Sequence, residues 1–573
     1  MLIGLRLGHF KPFADPQRMP VRPLTLIFGP NSSGKSSLIH GLLLARHALE
    51  TGDLDMHRTT IGGEAVDLGG FRQYVHRREA TRRVEWAVEI ATAHLQGRIA
   101  EFLALVHTVA VAVEIGLEQV ERRASREVID PKTGHVIVAE VPTGELLPAG
   151  PPRVQRYEII ADERLILQMS RRRDGHLQLD RLDHEHPVFR GVIKAIVETA
   201  TTTEALTAAD YVGVDRAIAE LVPHLAVQPG ALLPIGLVRA EREQFTAEQA
   251  TLFPISRGRR QEDLAAAMHF FLPRTLDELI RGLNAAVEHE LLRIRYLGPL
   301  RSYPPRHLAF AQYHDPNWLA GGGYAWEVVR RDARVRQAVN TWLASPERLQ
   351  TPYELVVREL IGIDQLDDPL LKGLEEISLD IRPDYDTGDV PTGAYAVIED
   401  PEAEAVRLRD VIHASDIDKI PDLILVDRRS NTVVSHRDVG IGVSQVLPVL
   451  VAAYASQGEI LAMEQPEIHL HPALQAELGD VFIESALSGR GNTFILETHS
   501  EHLILRILRR IRETTDGELP PGITPIRPEQ VAVLYVLPER GGARVVEIPI
   551  RPDGEFAERW PQGFFAERAK ELF

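Results

Sequence analysis

The 573-residue chain contains no cysteine, which excludes disulfides and thiolate zinc sites and fits a reducing compartment. It also lacks any run of eighteen apolar residues, so no membrane-spanning helix is expected. The opening stretch MLIGLRLGHFKPF lacks the apolar centre of a signal peptide. A cytoplasmic protein with no membrane partner is therefore expected. Positive charge is in short supply: 64 Lys and Arg stand against 82 Asp and Glu, a net charge of −18. That balance argues against a nucleic-acid coat and leaves room only for a local basic groove. No heptad pattern persists over several heptads, so a long coiled-coil arm is not expected. There is no internal repeat and no extended low-complexity tract. Apolar residues make up 44% of the chain, enough for large cores, and the length allows roughly three or four domains.

The most informative stretch is LTLIFGPNSSGKSSLI, residues 24–39. An apolar run, Leu24–Phe28, leads into Gly29-Pro30-Asn31-Ser32-Ser33-Gly34-Lys35-Ser36, the full G-x-x-x-x-G-K-S pattern. Apolar residues at helical spacing then follow Ser37. Strand, glycine loop and helix is the context of a phosphate-binding P-loop. Its backbone N–H groups, from Gly29 through Asn31, Ser32, Ser33 and Gly34 to Ser37, turn toward phosphate oxygens, and the helix aims its positive end at the same anion. Lys35 is expected on the β- and γ-phosphates and the Ser36 hydroxyl on Mg²⁺.

Upstream, Arg6, Lys11, Phe10 and Phe13 either stack on a base or pack into the core. Gln73 and His76 lie in a loop that approaches phosphate or metal, or is simply solvated. Residues 93–293 carry no chemical motif and read as mostly helical with some strands. The basic cluster 257–260 there is a solvated surface or a phosphate contact. Arg301, after YLGPL, either stabilises phosphate charge or locks a loop. Strand patterns over 376–436 return the chain to a sheet.

The second half of the site begins at His436-Arg437-Asp438-Val439-Gly440-Ile441-Gly442-Val443-Ser444-Gln445, a glycine loop opening an apolar helix. It is a second, lysine-free phosphate clamp or an ordinary helix cap. Ile460–Met463 is a buried-strand run ending in Glu464, where a P-loop enzyme holds Mg²⁺. His469 and His471 follow without the H-E-x-x-H spacing of a zinc site. Thr493–Glu497 is another buried run, ending in Thr498-His499-Ser500. A histidine at a strand C-terminus lies on the edge where open parallel sheets bind ligands.

GPNSSGKSS, the distant GIGVSQ, EQPEIHLHP and ETHS, in that order, resemble the ABC-type ATPases of the RecF, SMC and OLD (overcoming lysogenization defect) group. YLGPLR and DGEFAERWPQGFFAER add a resemblance to a prokaryotic AAA-family branch with a C-terminal domain of unknown function. The resemblance spans 1–92 and 294–573. It implies an α/β fold: an ABC-ATPase-like P-loop head, a mixed sheet with flanking helices, interrupted by a large α+β or helical insertion and without a nuclease domain. The expected parts are 1–92 with the P-loop, the insertion 93–293, the rest of the head at 294–515 and a tail at 516–573. Gly29, Gly34, Lys35 and Ser36 match Walker A, and Glu464 the Mg²⁺-associated Walker B acid. Gln465 stands where the water-activating Glu usually lies, which implies slow hydrolysis, with Glu467 a candidate substitute. Ile468–Pro472 resembles the D-loop and His499 the switch histidine. Gly440, Gly442 and Ser444 resemble the signature loop that contacts the partner's ATP, with altered spacing. The resemblance implies ATP and Mg²⁺ as cofactors and an ATP-gated homodimer. It also implies a role in DNA metabolism or in defence against phage or plasmids, with a separate nuclease or toxin as effector and DNA as a further partner. The alternative is an ATP-switched sensor or scaffold with little hydrolysis.

Overall fold

The computed structural model describes residues 1–129, 136–190, 192–193, 208–237, 260–301, 317–345, 348, 350–361, 379–386, 390–398, 419–434 and 441–561. In chain order the strands of the first part are β1 (Leu2–Gly8), β2 (Gln17–Pro20), β3 (Leu24–Phe28), β4 (Val84–Ala91), β5 (Thr108–Ile129), β6 (Val136–Ala161), β7 (Arg164–Arg171), β8 (Leu177–Leu182), β9 (Ala226–Gln228), β10 (Gly236–Leu237) and β11 (Ile294–Leu297). Helix α1 (Lys35–Thr51) follows β3, and α2 (Arg260–Leu292) precedes β11. Next come β12 (Tyr353–Ile361), β13 (Leu379–Asp386), β14 (Val390–Ile398), β15 (Lys419–Asp427) and β16 (Thr432–Val434). The last part holds α3 (Ile441–Ala455), β17 (Ile460–Glu464), α4 (Pro472–Leu487), β18 (Thr493–Glu497), α5 (Glu501–Asp516), β19 (Val531–Glu539) and β20 (Gly542–Glu547).

The chain forms two compact units, one of Met1–Ser302, His314–Tyr324 and Ile441–Phe573, the other of Tyr303–Tyr313 and Ala325–Gly440. In the first, a six-stranded sheet runs in the order β11-β17-β18-β3-β19-β20. Its first five strands are parallel, and β20 returns antiparallel along the edge through the Arg540-Gly541 turn. Strands β3, β17 and β18 are buried at every residue. Parallel strands covered on both faces need unbroken apolar runs, and LTLIF, ILAM and FIL supply them.

A nine-stranded antiparallel sheet, β10-β9-β8-β7-β6-β5-β4-β1-β2, belongs to the same unit. Trp86 of β4 donates from Nε1 to the carbonyl of Gly41 in α1 (3.1 Å), and Tyr157 of β6 donates to Asn284 of α2 (2.7 Å). Gly41 is needed there: a Cβ would stand 2.5 Å from Leu7. Phe10 and Phe13 are fully buried in this core, which settles their role as packing.

Two expected divisions change. Strands β5 to β10 lie within 93–293 and extend the N-terminal sheet without a break at residue 92, so this stretch is α+β rather than mostly helical among its described residues. Nor is 294–515 one unit: Ala325–Gly440 separates from it. There β12-β15-β16 and β13-β14 form sheets of their own, so the strand patterns of 376–436 do not rejoin the P-loop sheet.

Helices α4 and α5 are locked by buried charge. Asp480 accepts from Arg510 Nε (2.8 Å) and Nη2 (2.7 Å) and from Arg506 Nη1 (2.6 Å). Burial works against the Asp480 charge; Arg510 and Arg506 outweigh it and hold the carboxyl below the usual carboxylate range. Asp480→Ala leaves two arginines without their shared acceptor and should cost about 3–5 kcal/mol in urea denaturation. Because the folded pKa is depressed, the stabilisation is full at neutral pH and is lost as pH falls through that folded value. A variant with the wild-type midpoint at pH 7 would contradict it.

Candidate functional site

The C-terminal ends of β3, β17 and β18 share one sheet edge, where open α/β sheets bind ligands. From β3 the chain enters the loop through Gly29 (φ 147°) and Ser32 (φ 61°) and leaves through Gly34 (φ 100°). A Cβ on Gly34 would fall 2.3 Å from Pro12 and one on Gly29 2.7 Å from the carbonyl of Val536, so only glycine fits either place.

Gly34 caps α1 without a side-chain acceptor, and the first turn of α1 has no acidic residue. The N–H of Ser37 meets the carbonyl of Gly34 (3.0 Å), and no side chain caps the turn against an outside anion. The Ser33 hydroxyl is buried with no hydrogen-bond partner. Asn31 and Ser32 are exposed, and Ser37 is buried. Lys35 is buried and donates to the carbonyls of Gly29 (3.2 Å) and Pro30 (3.0 Å). Burial lowers its pKa against the pull of Glu497, Glu464 and Glu467.

Glu464 ends β17 and Glu497 ends β18, paired in register on parallel strands. The Ser36 hydroxyl donates to Glu497 Oε2 (2.6 Å), and Lys35 Nζ stands 3.9 Å from Glu497 Oε1. Glu464 Oε1 accepts from Tyr296 (2.8 Å) and faces His40 Nε2 (3.5 Å), whose Nδ1 meets Lys11 Nζ (2.6 Å). The two acids titrate apart. Burial, then the neighbouring Glu464, pushes Glu497 up to about 7. Burial opposes the charge on Glu464 too, but His40 and then Tyr296 outweigh it and hold its pKa below the usual range. The hydroxyl of Ser36 and the two carboxylates are hard oxygen donors of the kind Mg²⁺ takes alongside phosphates and water, so this donor set fits the expected ion.

Gln465 is half-buried in the left-handed region (φ 46°), with its N–H on the carbonyl of Glu497 (2.7 Å). Glu467 is buried and accepts from the N–H of His499 (2.8 Å), and burial raises its pKa. His499 is half-buried beside Lys35; burial and then that cation lower its pKa. Arg301 locks a loop. Its guanidinium donates to the carbonyls of Gln445 (3.2 Å), Glu464 (3.3 Å) and Gln465 (2.9 Å), and burial brings its pKa down to about 10. Gly442 and the buried Ser444 occupy the first turn of α3, with His469 O 3.3 Å from where a Gly442 Cβ would be. Gly440 and residues 257–259 lie outside the described residues. His76 is buried, its Nδ1 on the carbonyl of Lys11 (2.8 Å), while Gln73 is exposed.

Sequence reasoning passed over Glu497, His40 and Tyr296. The pattern that singles out Glu464, an acid closing a buried strand, is repeated in TFILE. His40 lies four residues after Ser36, on the same face of α1.

Residues 308–506 match the family described as "AAA domain, putative AbiEii toxin, Type IV TA system". The chain carries an AAA-type ATPase domain. The matched span takes in Gly442, Ser444, Glu464, Gln465, Glu467 and His499; the P-loop precedes it. No curated protein matches the chain. Among solved structures it is similar to the SMC head domain from Thermotoga maritima, at 10% identity over 96% of this chain and 99% of that one, with a TM-score of 0.30. It is also similar to the Smc head domain with an extended coiled coil bound to the C-terminal domain of ScpA from Pyrococcus furiosus, at 10% identity over 100% and 98%, with a TM-score of 0.32. Likeness that loose transfers no residue role.

The raised Glu497 gives a pH test on the metal- and nucleotide-free protein. Its folded pKa exceeds the unfolded one, so the folded state holds a proton that the unfolded state releases. Stability should therefore fall as pH rises from about 4.5 to about 7. Glu497→Gln should flatten that part of the profile in urea titrations. Identical slopes for both proteins would show that Glu497 is not a strained, buried carboxylate.

Proposed function

We propose that this chain binds ATP with Mg²⁺ at the P-loop and hydrolyses it slowly. The observation that carries the proposal is the N-terminus of α1: uncapped, free of acids, and set between Lys35 and two carboxylates. Such an end attracts a polyanion, and the carboxylates beside Ser36 suit the cation that travels with a triphosphate. Lys35 would move from the loop carbonyls to phosphate oxygens. Ser36 and Glu464 would hold Mg²⁺, which on binding neutralises charge developing on the phosphates. His499 and Glu467 stand behind this point, and their mutual hydrogen bond fixes the turn after β18.

Gln465 supports slow turnover. An amide orients water by hydrogen bonding but is a poor proton acceptor. The same residue supports a second reading, an ATP-switched sensor or scaffold with little hydrolysis. The turn of Gly442 and Ser444, in the first turn of α3, resembles a signature loop that contacts a partner's ATP, which supports an ATP-gated homodimer in which each copy closes the other's site. The matched family's description names an AbiEii toxin of a type IV toxin–antitoxin system. That supports a defence setting, with the destructive step left to a separate nuclease or toxin; DNA is a further candidate partner.

Lys35→Ala should weaken ATP binding by a few kcal/mol, about 100-fold or more, because a buried triphosphate loses its cation. Equilibrium titration with ATP checks this, and wild-type affinity would remove the P-loop from the account. Gln465→Glu should speed turnover and shorten the life of any ATP-bound dimer, read by steady-state ATPase rates and sizing in ATP. A wild type that is already fast, with a Glu variant no faster, would assign water activation to another residue.

A further inference from the structure

The function proposed above holds the cation on Ser36 and Glu464, with Glu497 entering only as a neighbouring carboxylate. The sheet order makes this unexpected. Strand β18 lies between β3 and β17, so Glu497 sits on the immediate neighbour of the P-loop strand and Glu464 one strand farther away. Ser36 has a single hydroxyl hydrogen, and it is committed to Glu497 Oε2 at 2.6 Å. A hydroxyl that has donated its hydrogen keeps its lone pairs for a cation. Glu497 therefore orients Ser36 as a metal-bound serine must be oriented. Glu464 is held the other way: Tyr296 and His40 both occupy its Oε1.

Charge leads to the same place. Glu464 and Glu497 are in register on adjacent strands, and Glu467 is buried close by. Arg301 faces Glu467, and Lys35, 3.9 Å from Glu497, is the positive charge that the triphosphate would draw away. Once Lys35 turns to phosphate, two neighbouring carboxylates need another cation or a proton.

We propose that Glu497 is a second carboxylate of the divalent-cation seat, working with Ser36 and Glu464. This rests on the P-loop reading, and the experiment separates the two. Binding of a fluorescent N-methylanthraniloyl ATP analogue to the full chain is measured with and without Mg²⁺, and the ratio of the two affinities is the readout. Glu497→Gln keeps the size and the acceptor for Ser36 but removes the charge. It should cut the Mg²⁺-dependent gain by about tenfold or more and leave metal-free binding unchanged or tighter, because a carboxylate no longer faces the triphosphate. Glu497→Asp keeps the charge and should recover part of the gain. The inference is overturned by a Gln variant with the wild-type ratio, by an Asp variant no better than Gln, or by equal losses with and without Mg²⁺, which would mean that Glu497 only shapes the loop. If Glu464→Gln loses the Mg²⁺ response while Glu497→Gln keeps it, Glu497 alone is excluded and the P-loop reading stands. A wild-type chain that binds no nucleotide would overturn both.

Discussion

The site depends on an electrostatic imbalance. Three buried acids, Glu464, Glu467 and Glu497, share a sheet edge with two buried cations, Lys35 and Arg301. Carboxylates removed from water and set side by side cannot all stay ionised without compensation. The free protein meets that condition by several local means. Glu497 takes up a proton more readily than an ordinary Glu, while Glu464 keeps its charge through His40 and Tyr296. Lys35 bends onto the carbonyls of its own loop. Each of these arrangements satisfies a group that an incoming triphosphate and cation would satisfy better. The site is therefore built around charges that are incompletely matched, and the uncapped end of α1 lies beside them.

Such an arrangement needs a stiff backing, because repelling side chains otherwise swing apart. Arg301 supplies part of it. By donating to the carbonyls of Gln445, Glu464 and Gln465 it ties the first turn of α3 to the end of β17. Its planar fork reaches these acceptors from two nitrogens held in fixed directions, which the single nitrogen of a lysine cannot do. Behind β18, Asp480 with Arg506 and Arg510 holds α4 against α5, and Ser500 caps α5 through the N–H of Leu503. The turn carrying His499 is thus fixed from both sides.

Much of this was legible in the sequence. The P-loop, the acid after ILAM and the histidine of ETHS are local patterns, and the strands that carry them are short apolar runs with clear ends. What the sequence did not disclose was pairing. Nothing in TFILE says that β18 lies between β3 and β17, and only that order brings Glu497 to Ser36. His40 reads as one polar residue in an apolar helix until β17 places Glu464 beside it. The long strands β5 and β6 were harder still. Their charged and apolar residues, with prolines and glycines interrupting β6, blur the alternation that marks a strand, and the antiparallel register between them shifts along its length. Strand patterns over 376–436 were readable as strands but not as members of a separate unit, since a strand's sequence does not name its sheet.

Gln465 shows how far backbone and side chain can be separated at such a site. Its N–H is bound to the carbonyl of Glu497, and its own carbonyl accepts from Arg301 and from the N–H of Ile468 (3.1 Å). Pro466 fixes the next φ. The left-handed conformation at φ 46° is thus imposed by groups other than the Gln465 side chain. A residue held this way pays for its strained backbone through its neighbours, so replacing the amide by a carboxylate leaves the turn's hydrogen bonds in place. The difference between Gln and Glu at 465 is then one of proton affinity and charge rather than of shape. A Glu there would add a further acid to an edge that already holds three against Lys35 and Arg301. An amide leaves a side chain that can still hold water without deepening the imbalance around which the site is arranged.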